Sequence, residues 1–249
     1  MDGYYSYTIV INYRDINCLL EMDRERGEGH LAKGLISLKN GAILFISSLI
    51  LTISIYIPLI INPMEIYKAL SGAYSSGLLF PSFELAPFAF ELAAVVYWYY
   101  ASVSFVEIGP DKYDFGKVGG LLMIIGGVFI IIFSRFFTET VWYYISHFPV
   151  VGGATEFSIH EFIIATSLVV DAPAVYVFAL GGILFSLTVY NLGKHLGNRK
   201  FRVGAAGMAL GFIILALPLL SFAGHIVIGL SSTVIYLGCG EQLQRIESS

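Results

Sequence analysis

The chain has 249 residues, of which 57% are hydrophobic and only 13% charged, with a mean hydropathy of +0.77, whereas soluble domains carry about 25% charged residues. That much apolar surface has to face lipid, which excludes an ordinary soluble domain. The formal net charge of −4 is near neutral for this length and suggests no nucleic-acid surface, and none is expected as a partner.

The first 40 residues are polar, with five cations (Arg14, Arg24, Arg26, Lys33, Lys39) and six acids (Asp2, Asp15, Glu21, Asp23, Glu25, Glu28) scattered along them. No short apolar core follows a basic start, so the segment reads as a retained cytoplasmic tail rather than a cleaved signal peptide. It is either a short amphipathic helix on the membrane surface, a contact for another subunit, or a solvated tail.

Beyond the tail the apolar residues come in blocks. No charged residue occurs in 41–61, 118–134, 172–193 or 203–240, and the block 85–106 is interrupted only by Glu91. Each is near or above the roughly 17 to 25 residues of a spanning helix, and the last is long enough for two. The sequence therefore predicts an all-α, polytopic transmembrane helical bundle of about six spans, near 41–61, 85–106, 118–136, 172–191, 203–219 and 222–239. The predicted organisation is a cytoplasmic tail over 1–40, a transmembrane domain over 41–240 with an external loop at about 137–171, and a cytoplasmic tail over 241–249.

Charge orients the map. The tails and the second and fourth loops hold 12 of the 14 Lys and Arg residues, and the opposite side holds only Lys68 and Arg135. Basic residues stay on the cytoplasmic side, which puts both termini there, in a plasma membrane. A seventh span between Phe136 and Asp171 is disfavoured by His147, Pro149 and the pair Gly152-Gly153. The preferred reading is an external lid with Trp142, Tyr143 and Tyr144 at the interface. Cys18 and Cys239 fall on the cytoplasmic side and read as reduced thiols.

Three spans open alike: Lys39-Asn40-Gly41 with Ser48, Lys117-Val118-Gly119 with Gly126, and Arg202-Val203-Gly204 with Gly211. A small residue follows each opening glycine by seven, two turns along one helix face. The pattern is either three repeated helical hairpins whose small faces let backbones pack closely in lipid, or a chance product of 26 glycines.

The run Tyr190-Asn191-Leu192-Gly193, a short basic loop, a glycine-rich span, and Ile228-Gly229 leading to Tyr236-Leu237-Gly238 and a polar tail resemble an uncharacterised archaeal family of multi-spanning membrane proteins, known only as a domain of unknown function. The likeness covers mainly the final 80 or so residues. It implies an archaeal plasma membrane and carries over no catalytic residues.

Glu91 is the one carboxylate well inside a predicted span, where an uncompensated charge costs at least a few kcal/mol. Either it has a function or it lies close enough to the outer face to be wet or neutralised. Glu84 falls on the same helix face seven residues earlier, and the two would line an outward-facing cavity with Pro87 between them. Arg135 reads as snorkelling to the outer interface, with Glu91 or Glu139 as an alternative partner. Asp171 before Ala172-Pro173 reads as a helix N-cap.

No histidine is expected at mid-membrane, so a haem b site is not expected. His147, His160, Glu161 and His225 share the outer side, but their spacing matches no compact metal motif. Nucleotide-binding, protease and hydrolase motifs are missing. The sequence thus predicts a non-enzymatic membrane protein without cofactor or metal, partnered by the bilayer and by other membrane subunits or copies of itself. A subunit or scaffold of a membrane assembly is the preferred function, and the alternative is a small transporter or channel with Glu91 in an outward-facing cavity.

Overall fold

A computed structural model of the protein describes residues 13–61, 80–147, 172–217 and 220–248, with side chains over 27–54, 86–133, 173–217 and 220–248. The described residues form six helices and no strand: α1 (Tyr13–Ile61), α2 (Phe80–Val106), α3 (Pro110–His147), α4 (Ala172–His195), α5 (Arg199–Leu215) and α6 (Ser221–Glu247). Five of them hold a stretch long and apolar enough to cross a membrane. The exception, α5, has 17 residues, at the lower limit of a spanning helix.

Each helix packs on the one before and the one after it, and α6 returns to α1, so the six close into a ring. The helix ends near Lys112, Lys117, Lys194, Lys200 and Arg245 form a basic end, and the connections 62–79 and 148–171 leave from the opposite, loop end. At the basic end the turns are short. Gly109 precedes Pro110, which suits a first helical position because it has no N–H to leave unpaired. Between α4 and α5, Gly197 takes φ +63 and the Asn198 side chain accepts from the N–H groups of Lys200 and Phe201. Only glycine adopts that backbone readily, and the Asn198 cap satisfies two donors of the new helix.

The predicted tail boundary at residue 40 falls inside α1, which runs unbroken from Tyr13. Lys, Arg and Glu are good helix formers, and no proline stands between Tyr13 and Gly41 to stop the helix. Core packing begins before the charge-free block, with Leu35 and Leu38 fully buried. Lys39 lies 5.2 Å from the centre of the Tyr236 ring, a cation–π contact that keeps its charge at the basic end. Residues 137–147 of the predicted external loop continue α3, including the backbone of Trp142, Tyr143 and Tyr144. The rest of that loop and the Asp171 cap lie outside the described residues, and α6 continues into the predicted C-terminal tail.

The three hairpins α1–α2, α3–α4 and α5–α6 share one register. A Cβ added to Gly41, Gly119 or Gly204 would meet the carbonyl oxygen of Ala94, Gly181 or Ser231 at 2.9, 2.5 and 3.1 Å. One level nearer the loop end, Ser48 bonds the Pro87 carbonyl, and the Cβ positions of Gly126 and Gly211 approach those of Ala174 and Gly224 at 2.9 and 3.1 Å. Burial repeats as well: Ala42, Phe45 and Ser48 on α1 match Gly120, Met123 and Gly126 on α3 and Ala205, Met208 and Gly211 on α5. The protein is a pseudo-threefold ring of hairpins held by backbone-to-backbone approach at small residues.

The outside of the ring is apolar. Ile36, Ile43 and Ile50, Val118, Ile125 and Ile132, Val203, Leu210 and Leu217, and Leu230 and Leu237 recur every seven residues with about half their surface exposed. Buried Ser102, Ser186, Ser231 and Ser232 bond carbonyls of their own helices. An apolar skin over an interior of small and self-satisfied polar residues is the distribution lipid selects.

Candidate functional site

Glu91 projects into the ring from α2, with 8% of its surface exposed. Among the described residues it has two side-chain partners. The Ser48 hydroxyl on α1 lies 3.0 Å from its Oε1 and 2.9 Å from the Pro87 carbonyl, so its single proton is divided between two acceptors. His225 Nε2 on α6 lies 3.5 Å from the same Oε1. Side chains from two other helices thus converge on one carboxylate oxygen of α2.

The histidine is fixed from its other side. Its Nδ1 is 3.0 Å from the Ser221 carbonyl, which can only accept, so Nδ1 carries a proton. Nε2 is therefore the nitrogen that meets the carboxyl group. Two bare acceptors would repel at this 3.5 Å approach, so the contact favours one proton between Nε2 and Oε1, held as imidazolium with carboxylate or as neutral imidazole with carboxylic acid. The pair carries no net charge in either form.

Pair and cavity coincide. A cavity of about 210 Å³ at the loop end is lined by Phe88, Glu91, Leu92, Gly127, Ile130, Ile131, Val175, Phe178, Leu215, Ser221 and His225. These residues come from five of the six helices, with Phe88, Val175 and His225 at equivalent levels of the three hairpins. Glu91 and His225 are its only titratable lining groups among the described residues, and the walls are otherwise mostly apolar. Pro87, one turn before Glu91, has no N–H and frees the Phe83 carbonyl within α2.

Behind the cavity the axis is closed by stacked rings. His225 stacks on Phe45 at 6.5 Å, Phe45 on Trp98 at 5.5 Å, and Trp98 on Phe185 at 5.3 Å. Trp98 Nε1 has no hydrogen-bond partner among the described residues. Further toward the basic end, Tyr113 Oη, Thr188 Oγ1 and Gln242 Nε2 are likewise buried and unpartnered. An unpaired buried polar group costs about 1–3 kcal/mol, so this is an interior with polar levels at both ends and an aromatic plug between them.

Of the residues singled out from sequence, Gly41, Ser48, Gly119, Gly126, Gly204 and Gly211 all lie at hairpin contacts, and Ser48 also reaches Glu91. The side chains of Glu84 and Arg135 lie outside the described residues. His225, read from sequence as one of several outer histidines, stands at the loop end as the partner of Glu91. The described residues hold no group of three metal-ligating side chains, and His160 and Glu161 lie outside them.

Fold and surface together define a polytopic integral membrane protein, an all-α ring bundle with an ionisable pair in its interior. Compared with known proteins, the chain matches no family model, no curated protein and no solved structure.

Proposed function

We propose that the protein is a small transporter whose solute enters the loop-end cavity and is held against Glu91. The observation that carries this reading is the buried Glu91, placed with His225 and Ser48 on the wall of a cavity shared by five helices. Burying an ionisable group in a membrane bundle is costly, and such groups mark solute or proton paths. Taken alone, the sequence favours a subunit, since it shows a single carboxylate well inside a span. The structure adds a second ionisable group, His225, beside that carboxylate, and the aromatic plug supplies the barrier a carrier needs between its two ends.

In this reading all six helices span a plasma membrane with both termini cytoplasmic, which places the cavity outside and the basic end inside. The C-terminal likeness supports an archaeal membrane. As a carrier that moves its solute unaltered, the protein is read as non-enzymatic.

The test is uptake into proteoliposomes of a panel of small cationic, neutral and anionic solutes. Flux of one class is expected, lost in Glu91→Gln while the variant still inserts and purifies normally. No flux of any class, together with another chain that co-purifies in mild detergent, would favour the subunit.

A further inference from the structure

The geometry points to a proton-exchanging site for a small organic monocation at Glu91 and His225. The inference rests on the transporter reading and specifies its substrate class and coupling.

Both histidine nitrogens are occupied, Nδ1 by the Ser221 carbonyl and Nε2 by Glu91. The described cavity lining therefore presents no free N–H side-chain donor and no Lys or Arg to an anion. Glu91 Oε2, in contrast, has no hydrogen-bond or ion-pair partner among the described residues, since both contacts of the carboxylate fall on Oε1. Phe88 and Phe178 add aromatic walls, whose faces attract cations. The volume of about 210 Å³ exceeds the roughly 150 Å³ that accommodates benzene, so the ligand is an organic ion rather than a bare metal ion.

Charge sets the coupling. The pair with its single proton is neutral. A monocation added at Oε2 leaves a net positive charge in a mostly apolar cavity, and loss of the shared proton restores neutrality. The step is cation plus protonated pair giving cation, Glu91 carboxylate and neutral His225, with one proton released, so charge balances. Nε2 and Oε1 then face each other as two acceptors, which drives the imidazole from the carboxylate as the cation arrives. The elements packed around the pair contribute Ser48 and Phe45 from α1, Ile130 from α3, Phe178 from α4, Leu215 from α5 and Ser221 from α6, none of them titratable. The side chains of Glu84 and Arg135, nearer the loop end, lie outside the described residues.

The experiment titrates purified protein in weakly buffered detergent solution with phenyltrimethylammonium, which brings no proton of its own. Benzyl alcohol and benzoate serve as neutral and anionic counterparts. The cation alone should bind and release about one proton per chain, as linkage requires of a site shared by two ligands. Glu91→Gln should release none and bind about tenfold more weakly or worse, the factor equal to about 1.4 kcal/mol. Gly127→Val provides a second variant, because a Cβ there stands 3.4 Å from Leu92 and fits. It narrows the cavity and should weaken cation binding while both ionisable groups remain. Binding of the cation without proton release, or preference for benzoate or benzyl alcohol, overturns the inference. If panel solutes move but phenyltrimethylammonium neither binds nor displaces a proton, the exchange site falls and the transporter stands. If nothing moves yet the cation displaces a proton, the site stands and the transporter falls.

Discussion

At Ser48 one hydroxyl serves two purposes, bonding the hairpin backbone at Pro87 and bonding the buried carboxylate. At the equivalent levels stand Gly126 and Gly211, which make the close approach with no side chain. Ser48→Ala should therefore keep the hairpin and leave Glu91 short of a donor, a loss of about 1–3 kcal/mol for a buried group. Ser54→Ala is the control, because that exposed hydroxyl only bonds Ile50 on its own helix, and surface changes of this kind stay within about 0.5 kcal/mol. Thermal unfolding in detergent compares the two, and equal melting temperatures would show that the Ser48 bond carries no weight. Glu91 was legible in the sequence because a carboxylate breaks an apolar block. His225 was not, since an uncharged symbol in an apolar run carries no sign of which helix it will face. Its partnership follows from ring closure between α1 and α6, which brings residues far apart in sequence onto one oxygen.

The helix boundaries carry a related lesson. The apolar blocks located the elements, yet α1 starts 28 residues before its block and α3 extends 11 beyond its predicted end at residue 136. Hydropathy reports what lipid tolerates, whereas helix ends are set by caps such as Asn198 and by breakers such as Gly197. The hairpin openings were visible as a cation, a glycine and a small residue seven later. Their partners Ala94, Gly181 and Ser231 were not, because the return helices are spaced unequally by a long connection before α4 and a short one before α6. The register makes a sharp prediction. Gly119→Leu would drive a side chain onto the Gly181 carbonyl and the Phe185 N–H, both backbone and unable to give way, and should cost about 3 kcal/mol or more. Gly240→Ala has nothing within 4 Å and should stabilise α6 by up to about 1 kcal/mol through helix propensity. Size-exclusion profiles and melting temperatures of the two variants check the pair, and tolerance of Gly119→Leu would refute the close approach.

Closure of the ring is the property of the whole molecule on which the site depends, and it can be trapped. A Cβ at Gly229 lies 3.6 Å from that of Leu49, within the roughly 3.5–4.5 Å span of a disulfide. Leu49→Cys with Gly229→Cys, in a chain with Cys18→Ser and Cys239→Ala, should cross-link α1 to α6 on mild oxidation. Mass spectrometry of the unreduced digest should contain the linked peptides, and an open bundle would give none. Orientation is tested separately by cysteines at Ser71 and Thr155, which should react with an impermeant reagent on intact cells, and at Ser37 and Ser248, which should not. Reaction at Ser248 from outside would reverse the charge-based map.

Because the three hairpins are covalently joined, the levels of the ring need not be filled alike. The level of Glu91 holds Phe178 on α4 and Ile228 on α6, both buried. Three separate identical hairpins would have to place three carboxylates at this level, where mutual repulsion and lost hydration would be multiplied within a few ångströms. Fusion into one chain breaks that obligation: a single acidic group occupies the centre, and its neutralising imidazole arises from a different position on a different hairpin. The unequal triplet is thus a form of asymmetry that a homotrimer of the same shape is forbidden to have.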